Sequence, residues 1–390
     1  MKNILFFTVM LMFLFLSNAC FQTSRSLVNA ALHDEEDMNK IDLYGSNPIN
    51  EITANDIVRN IRIGWNLGNT LDTAELEWLN SSSISDFEKA WGNPVTTRRN
   101  IETVKNAGFN AIRIPVSWSK CVDSEYNIRR DWMRRVKEVV DYAVSSKLII
   151  ILNTHHDESI FKYIDSEMEE SKKAFKKIWE QIADNFKYYG AYLIFESLNE
   201  PRTKGLPTEW TGGTAPEHEN LNIMNQIFVD AVRASGGNNA YRILMIPAYS
   251  ASPSQLAMNG LKIPNDTAGN KIIISIHVYE PYRFVSSDQP VVTWDGTKSS
   301  DTSPVTAPVD RAYNTFASKG IPVIIGEFGA ANKDNEAVRA DWAQFNVSYA
   351  KSKGIPCVWW DDGGDLKLFD RRSNSIVYPQ IVEKIMQGVK

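Results

Sequence analysis

Cysteine is scarce: the 390 residues contain three, Cys20, Cys121 and Cys357. That number excludes a disulfide framework, so the fold must be held by apolar burial. Positive charge is not in surplus either. Against 47 Asp and Glu stand 42 Lys and Arg, a net charge of −5 with no basic run, so nucleic acid is not an expected partner. Phosphate cradles of the G-x-G-x-x-G and G-x-x-x-x-G-K-[ST] kinds are missing, as are the G-x-S-x-G nucleophile elbow and the H-E-x-x-H zinc pair. No cofactor and no metal are implied.

Long apolar runs are missing from all but the first residues. After Met1-Lys2-Asn3, an apolar run from Ile4 to Leu16 leads to Ser17-Asn18-Ala19-Cys20. It is too short to span a bilayer and fits a secretory signal cut after Ala19, making residues 1–19 a signal peptide. Cys20, in the next position, resembles the lipidated residue of a relaxed bacterial lipobox. Export is therefore expected, leaving the protein extracellular, periplasmic or lipid-anchored at the bacterial cell surface. Residues 20–50, polar and unpatterned, read as a flexible leader to one domain over 51–390.

What is present is a single rhythm. Apolar strand-like runs begin near residues 61, 110, 148, 191, 242, 272, 322 and 357. Amphipathic helical stretches lie between them, such as 96–108, 130–147 and 334–354, and several end on Gly just before the next strand. Alternating strands and helices form a parallel sheet, and eight units at roughly forty-residue spacing predict an α/β fold of the (β/α)8 TIM-barrel kind. Each run also starts apolar and finishes polar: Asn66 and Asn69, Arg113, His155 and His156, Asn199 and Glu200, His277 and Tyr279, Glu327, Trp360. In such a barrel these ends converge on one face, which carries the active site. The 11 Trp and 14 Tyr suit a ligand with flat apolar faces, such as a pyranose.

The stretch "LIFESLNEPR", residues 193–202, predicts a strand that runs to Glu200 and is stopped by Pro201, which donates no ladder hydrogen bond. Alternation places Glu196 below Glu200 on the same face, where it reads as a buried structural acid paired with Arg113. Glu327, in "IIGEFG", ends a different strand. Two carboxylates flanking a bond can cleave a glycoside, one protonating the leaving oxygen while the other attacks or activates water. The acid then needs a raised pKa, from apolar walls and the neighbouring carboxylate, whereas Arg favours an ionised nucleophile. His277 and Tyr279 face inward, the hydroxyl able to donate to the nucleophile and the imidazole to tune the acid. Trp359 or Trp360 offers a ring to a sugar.

The motifs "GWNLGNTLD", "WGNPVTT", "IRIPVSW", "LNTHHD", "FESLNEPR", "HVYEPY", "IIGEFGA" and "WWDDGG" together resemble bacterial endoglucanases of glycoside hydrolase family 5. They are most similar to its subfamily of cellulases, xyloglucanases and mixed-linkage glucanases. The resemblance runs from about residue 51 to the C-terminus. It implies a retaining endo-β-1,4-glucanase with Glu200 as acid/base and Glu327 as nucleophile. Arg113, His155, Asn199, His277, Tyr279 and Trp360 would line the cleavage subsite, Asn199 binding the 2-hydroxyl. Asn69, Asp72 and His156 would contact sugar nearby. A non-proline cis peptide after Trp360 is implied as well. The expected partner is a β-glucan polysaccharide or oligosaccharide; no protein partner is implied, and a monomer is expected.

Three other readings compete. "HHDE" at 155–158 suggests a metal site, but adjacent strand residues diverge. A β-mannanase or xylanase would use the same machinery with different loops. A non-catalytic glycan-binding surface lipoprotein would keep the aromatic residues without needing both carboxylates. Segments 203–220, with Trp210, and 283–305, with Trp294, read as long loops that wall the cleft. Cys121 follows the second strand and Cys357 begins the eighth, so they fall at opposite ends of the barrel, beyond the ~7 Å that a disulfide spans between Cα atoms. Thiol titration of the unfolded mature protein is expected to find both free; detection of neither would overturn this placement.

Overall fold

A computed structural model describes residues 48–390; the signal peptide, Cys20 and most of the leader lie outside the described residues. Residues 48–50, assigned above to the leader, are already tied to the barrel, because Lys271 Nζ donates to the carbonyls of Ile49 and Asn50 at 3.0 and 3.1 Å.

Eight parallel strands close a barrel in chain order: β1 (Gly64–Leu67), β2 (Ala111–Ile114), β3 (Ile149–Asn153), β4 (Leu193–Glu196), β5 (Leu244–Pro247), β6 (Ile272–His277), β7 (Val323–Phe328) and β8 (Cys357–Asp361). Closure is made by β8 against β1, Asn66 opposite Trp360 and Leu67 opposite Asp361. The helices are α1 (Ala54–Asn60), α2 (Ile84–Lys89), α3 (Arg98–Asn106), α4 (Arg130–Ser145), α5 (Met168–Phe186), α6 (Ala215–Ala234), α7 (Gln255–Gly260), α8 (Tyr282–Val285), α9 (Ser299–Thr315), α10 (Glu336–Ser352) and α11 (Pro379–Gly388).

Local chemistry explains the long helices. In α4 the buried residues Trp132, Met133, Val136, Val139, Val140 and Ala143 recur at helical spacing and make one apolar stripe. Thr97 before α3 and Thr214 before α6 form reciprocal capping boxes with Asn100 and Glu217. Gly108, Gly320 and Gly354 take positive φ after α3, after the short turn that follows α9, and after α10, as helix ends before a strand require. Among the described residues no helix is long and apolar enough to cross a membrane.

The barrel interior changes character along its axis. Its lower level is apolar: Ala111, Ile151, Ile194, Met245, Ile273, Ile324 and Val358 pack against Ile57, Val58 and Ile61 of α1, which plugs the bottom. One step higher the side chains are Asn66, Arg113, Asn153, Glu196 and Ser275, all fully buried. Between β6 and β7 the register slips, so that Ile276 pairs with Ile325 but His277 pairs with Glu327, leaving Gly326 as the extra residue. Such a bulge re-aims the side chains beyond it. Glycine fits there because a Cβ would lie only 3.0 Å from Ser275 Oγ and 3.2 Å from His277 Nε2.

Both described cysteines are free and buried, and burial pushes the Cys121 thiol up to about 12. At the outer wall, fully buried Arg242 donates to the carbonyls of Phe186, Tyr189, Gly190 and Leu193 at 2.8 to 3.1 Å. It thereby satisfies the C-terminal end of α5 and the turn into β4. Arg242→Met is expected to strand these carbonyls and to lower stability by about 3 kcal/mol, measured as a reduced urea midpoint with an unchanged slope.

Candidate active site

The polar strand ends do converge. Trp360 is the penultimate residue of β8, Glu327 that of β7, and His277 the last of β6. His155, Asn199, Glu200 and Tyr279 follow their strands by a few residues. The predicted run of β4 to Glu200 is too long: the ladder ends at Glu196, with one further bond from Ser197 N to Met245 O at 2.9 Å. Beyond it the chain curls inward, so Asn199 and Glu200 both reach the mouth without obeying strand alternation.

Arg113 organises the floor. Its Nε donates to Glu196 at 2.6 Å, Nη1 to Glu327 at 2.7 Å and to Asn66 at 3.1 Å, and Nη2 to Asn199 Oδ1 at 2.8 Å. Burial opposes the charge, but the two carboxylates hold the guanidinium well above its ordinary range. Glu196 is the structural acid expected, its other oxygen accepting from Ser275. Because Asn199 Oδ1 accepts from Arg113, its amide donors face the cleft. Tyr279 donates its hydroxyl to Glu327 Oε2 at 2.8 Å. Nδ1 of His277 lies 2.8 Å from Glu200 Oε1 and 3.6 Å from Glu327 Oε2. One carboxylate oxygen from each glutamate and a ring nitrogen of His277 all lie within 4.8 Å of one another.

The raised acid expected for such a pair is not found in the free site. Burial pushes the Glu200 carboxyl up, but the His277 hydrogen bond and the charges of His277, Arg202 and His156 outweigh it and hold Glu200 below its usual range. Nε2 of His277 is buried without a partner. With a carboxylate oxygen 2.8 Å away, Nδ1 is the ring nitrogen that carries a proton and donates to Glu200.

The opposite wall belongs to β1, β3 and β8. His155 stacks on Trp360 with ring centroids 5.6 Å apart and planes 4° apart. Burial, reinforced by the charges of His156 and Arg113, holds His155 neutral, far below its ordinary value. Asn153 Nδ2 sits 3.2 Å from its Nδ1, which puts the ring proton on Nε2. The two adjacent histidines do not diverge as strand neighbours would: β3 ends at Asn153, and their rings lie 4.4 Å apart. Donor atoms of Asp72, His155 and His156 approach within 4.8 Å, yet Asp72 is buried and already accepts from the Asn69 and Thr70 amides at 2.9 and 2.6 Å. Asp72 thus holds the turn that presents Asn69, itself at φ 55°.

Three further expectations are corrected. The only cis peptide bond among the described residues is Glu280–Pro281, so Trp360–Asp361 is trans. Strand β8 continues through Asp361, paired with Leu67, and Trp360 reaches the site from a regular strand. Trp359 points outward into the helix layer, fully buried beside Phe328 and Trp342. Trp294 does not wall the cleft, because it packs on Phe345 and donates to Asp301 O, and α9 starts already at Ser299.

Two residues went unassigned in the sequence reading although their motifs were quoted. Trp91 of "WGNPVTT" lies 5.7 Å from the His156 ring and is partly exposed. Arg202 of "FESLNEPR" lies 3.7 Å from the Glu200 carboxylate. Their placement depends on loops that no strand periodicity describes.

The profile of the cellulase family (glycosyl hydrolase family 5) matches residues 72–365. Endoglucanase A of Clostridium longisporum is 41% identical over 347 residues, covering 87% of this chain and 66% of that protein. The cellulase/esterase CelE of Acetivibrio thermocellus is 40% identical, covering 87% of this chain and 41% of its own length. This chain therefore spans less than two thirds of these two relatives. A broad-specificity endoglucanase of Ruminococcus champanellensis, solved with bound cellotriose, superposes with a TM-score of 0.83 at 41% identity, over 86% of this chain and 98% of that one. With a closed barrel, two glutamates at the ends of β4 and β7, and a profile match over most of the domain, the chain belongs to the cellulases of glycosyl hydrolase family 5.

Proposed function

We propose that this protein is an exported, retaining endo-β-1,4-glucanase acting on internal bonds of β-glucans such as cellulose, xyloglucan or mixed-linkage glucan. The observation that carries the reading is the glutamate pair. Their nearest carboxylate oxygens lie within 4.8 Å, which accords with the ~5–5.5 Å carboxyl separation of retaining enzymes rather than the roughly 6.5–9.5 Å of inverting ones. Export by residues 1–19, with Cys20 open to lipid attachment, belongs to the same reading.

Glu327 is the nucleophile. Arg113 and Tyr279 donate to its two oxygens and aim them at the anomeric carbon. Glu200 is the acid/base: it protonates the glycosidic oxygen as a carboxylate oxygen of Glu327 attacks the anomeric carbon, the C1–O bond breaks, the leaving sugar departs as the alcohol, and a glycosyl ester of Glu327 remains. A water then enters on the vacated side, gives its proton to Glu200 and opens the ester with net retention. Asn199 presents its amide donors to the 2-hydroxyl, while Trp360, His155, Asn69 and His156 line the sugar-binding wall.

A bound sugar displaces water and adds to the burial that raises Glu200. Because kcat/KM reports the free enzyme and kcat the complex, the basic limb of kcat is expected at higher pH than that of kcat/KM in steady-state pH profiles.

The two roles separate by rescue. Glu327→Gly is expected to lower kcat by roughly a thousandfold or more, and azide in the vacated space should yield an α-glycosyl azide from an activated β-glycoside. Glu200→Ala should still form the glycosyl-enzyme from a substrate whose leaving group needs no proton, azide then giving the β-glycosyl azide. Swapped anomers by NMR would reverse the assignment, and an α-configured product from the native enzyme would rule out the covalent route. Reducing-sugar release across carboxymethylcellulose, xyloglucan, barley glucan, xylan and mannan is expected to favour the three glucans. Dominant xylan or mannan cleavage would select the alternative glycanases, and no cleavage a glycan-binding protein.

A further inference from the structure

The turn that presents Asn69 is fastened from a second side. Beyond β2 the chain makes one tight helical turn, Ser119–Cys121, and its Lys120 reaches back to the segment leaving β1. Lys120 Nζ donates to Leu71 O at 3.2 Å, to Thr73 Oγ1 at 2.8 Å and to Thr73 O. An ammonium has three N–H donors and no acceptor, so none is left for a substrate hydroxyl. The indole of Trp132, from α4, covers the amine with its ring 4.7 Å away. Burial pushes this amine down to about 8, while the carboxylates of Asp72, Asp157 and Glu88 oppose the change. At neutral pH it is therefore still an ammonium.

Other groups after β2 act on the same turn. Ser117 Oγ donates to Asp72 O at 2.7 Å and accepts from the His156 amide at 3.1 Å. The Ser117 amide donates to Leu71 O at 3.1 Å. Segment 117–120 thus holds the consecutive carbonyls of Leu71, Asp72 and Thr73. The Thr73 hydroxyl, accepting from Lys120, donates onward to Phe87 O in α2 at 2.8 Å. Asp72, between the two residues that Lys120 grips, accepts with its carboxylate from the Asn69 and Thr70 amides. Asn69 stands at φ 55°, a left-handed conformation that the surrounding contacts have to hold. Three oxygens converging on one point suit a compact ammonium; a planar guanidinium would not meet them together.

We propose that Lys120 is a positioning residue for the sugar-binding wall, fixing the Leu71 and Thr73 carbonyls and, through Asp72, the orientation in which Asn69 meets the substrate. The inference rests on the reading of Asn69 as a sugar contact. Lys120 has no free donor for the substrate and lies outside the proton transfers of Glu200. Its loss therefore weakens binding of ground state and transition state alike, which raises KM and spares kcat.

Steady-state kinetics on cellopentaose test this. Asn69→Ala measures the contact itself and is expected to raise KM about tenfold with little change in kcat. Lys120→Met is expected to raise KM by a similar factor at unchanged kcat. Combined, the two changes remove one contact, so the double variant should stay near the same KM, whereas independent effects would multiply to about a hundredfold. Thr73→Val keeps the ammonium and the side-chain shape while removing one acceptor, and should raise KM about threefold when Asn69 is present and not in Asn69→Ala. It carries the test where Lys120→Met does not fold, as judged by circular dichroism and melting. Multiplying effects in either double variant, or a native KM in Thr73→Val or in folded Lys120→Met, overturn the positioning role. A native KM in Asn69→Ala would instead overturn the sugar contact beneath it.

Discussion

A single buried cation, Arg113, sets the terms for the whole mouth of the barrel. A guanidinium with no access to water is tolerable only if its donors are taken up, and here four hydrogen bonds reach Glu196, Glu327, Asn66 and Asn199. The pairing joins two levels of the interior. Glu196 lies in the packed polar layer, held also by Asn153 and Ser275, whereas Glu327 opens to the cleft. One side chain therefore ties the carboxylate proposed as nucleophile to one packed in the barrel interior. The same fork determines how the Asn199 amide is flipped, and so which of its atoms a sugar hydroxyl meets.

Differences between the two glutamates at the mouth follow from what surrounds them. Glu327 sits on a strand, one residue past a bulge that depends on Gly326, and is held by an arginine and a tyrosine that do not change charge near neutral pH. Glu200 sits on a curled segment beyond its strand and meets His156, whose protonation can change near neutral pH, besides His277 and Arg202. A fixed environment suits a nucleophile that must stay ionised and aimed; a titratable one suits a group that gives and takes a proton in successive steps.

The N-terminal helix and the leader remnant serve the same end from below. With α1 plugging an aliphatic floor and Lys271 fastening residues 49 and 50 to it, the strands have little freedom to shift at their lower ends. Bond-making geometry at the mouth tolerates errors of only a fraction of an ångström, and a rigid floor supplies that tolerance.

Much of this was legible in the chain alone. Strand periodicity and the polar residues that close each run determine the eight-stranded barrel, the face that carries the site and the pairing of Arg113 with Glu196, because each is a consequence of alternation within one strand or of convergence between strands. What lies past the last ladder bond was not legible. The end of β4 at Glu196, the meeting of His155 with His156, the outward turn of Trp359, the trans bond after Trp360 and the burial of Trp294 are each decided by contacts with distant segments. So is the place of Arg202, whose partners Glu158, Glu209 and Trp210 come from two loops without periodicity. Sequence determines which residues arrive at the mouth of the barrel; only the closed structure, in which buried donors such as those of Arg113 are paired with distant acceptors, decides how they face one another once there.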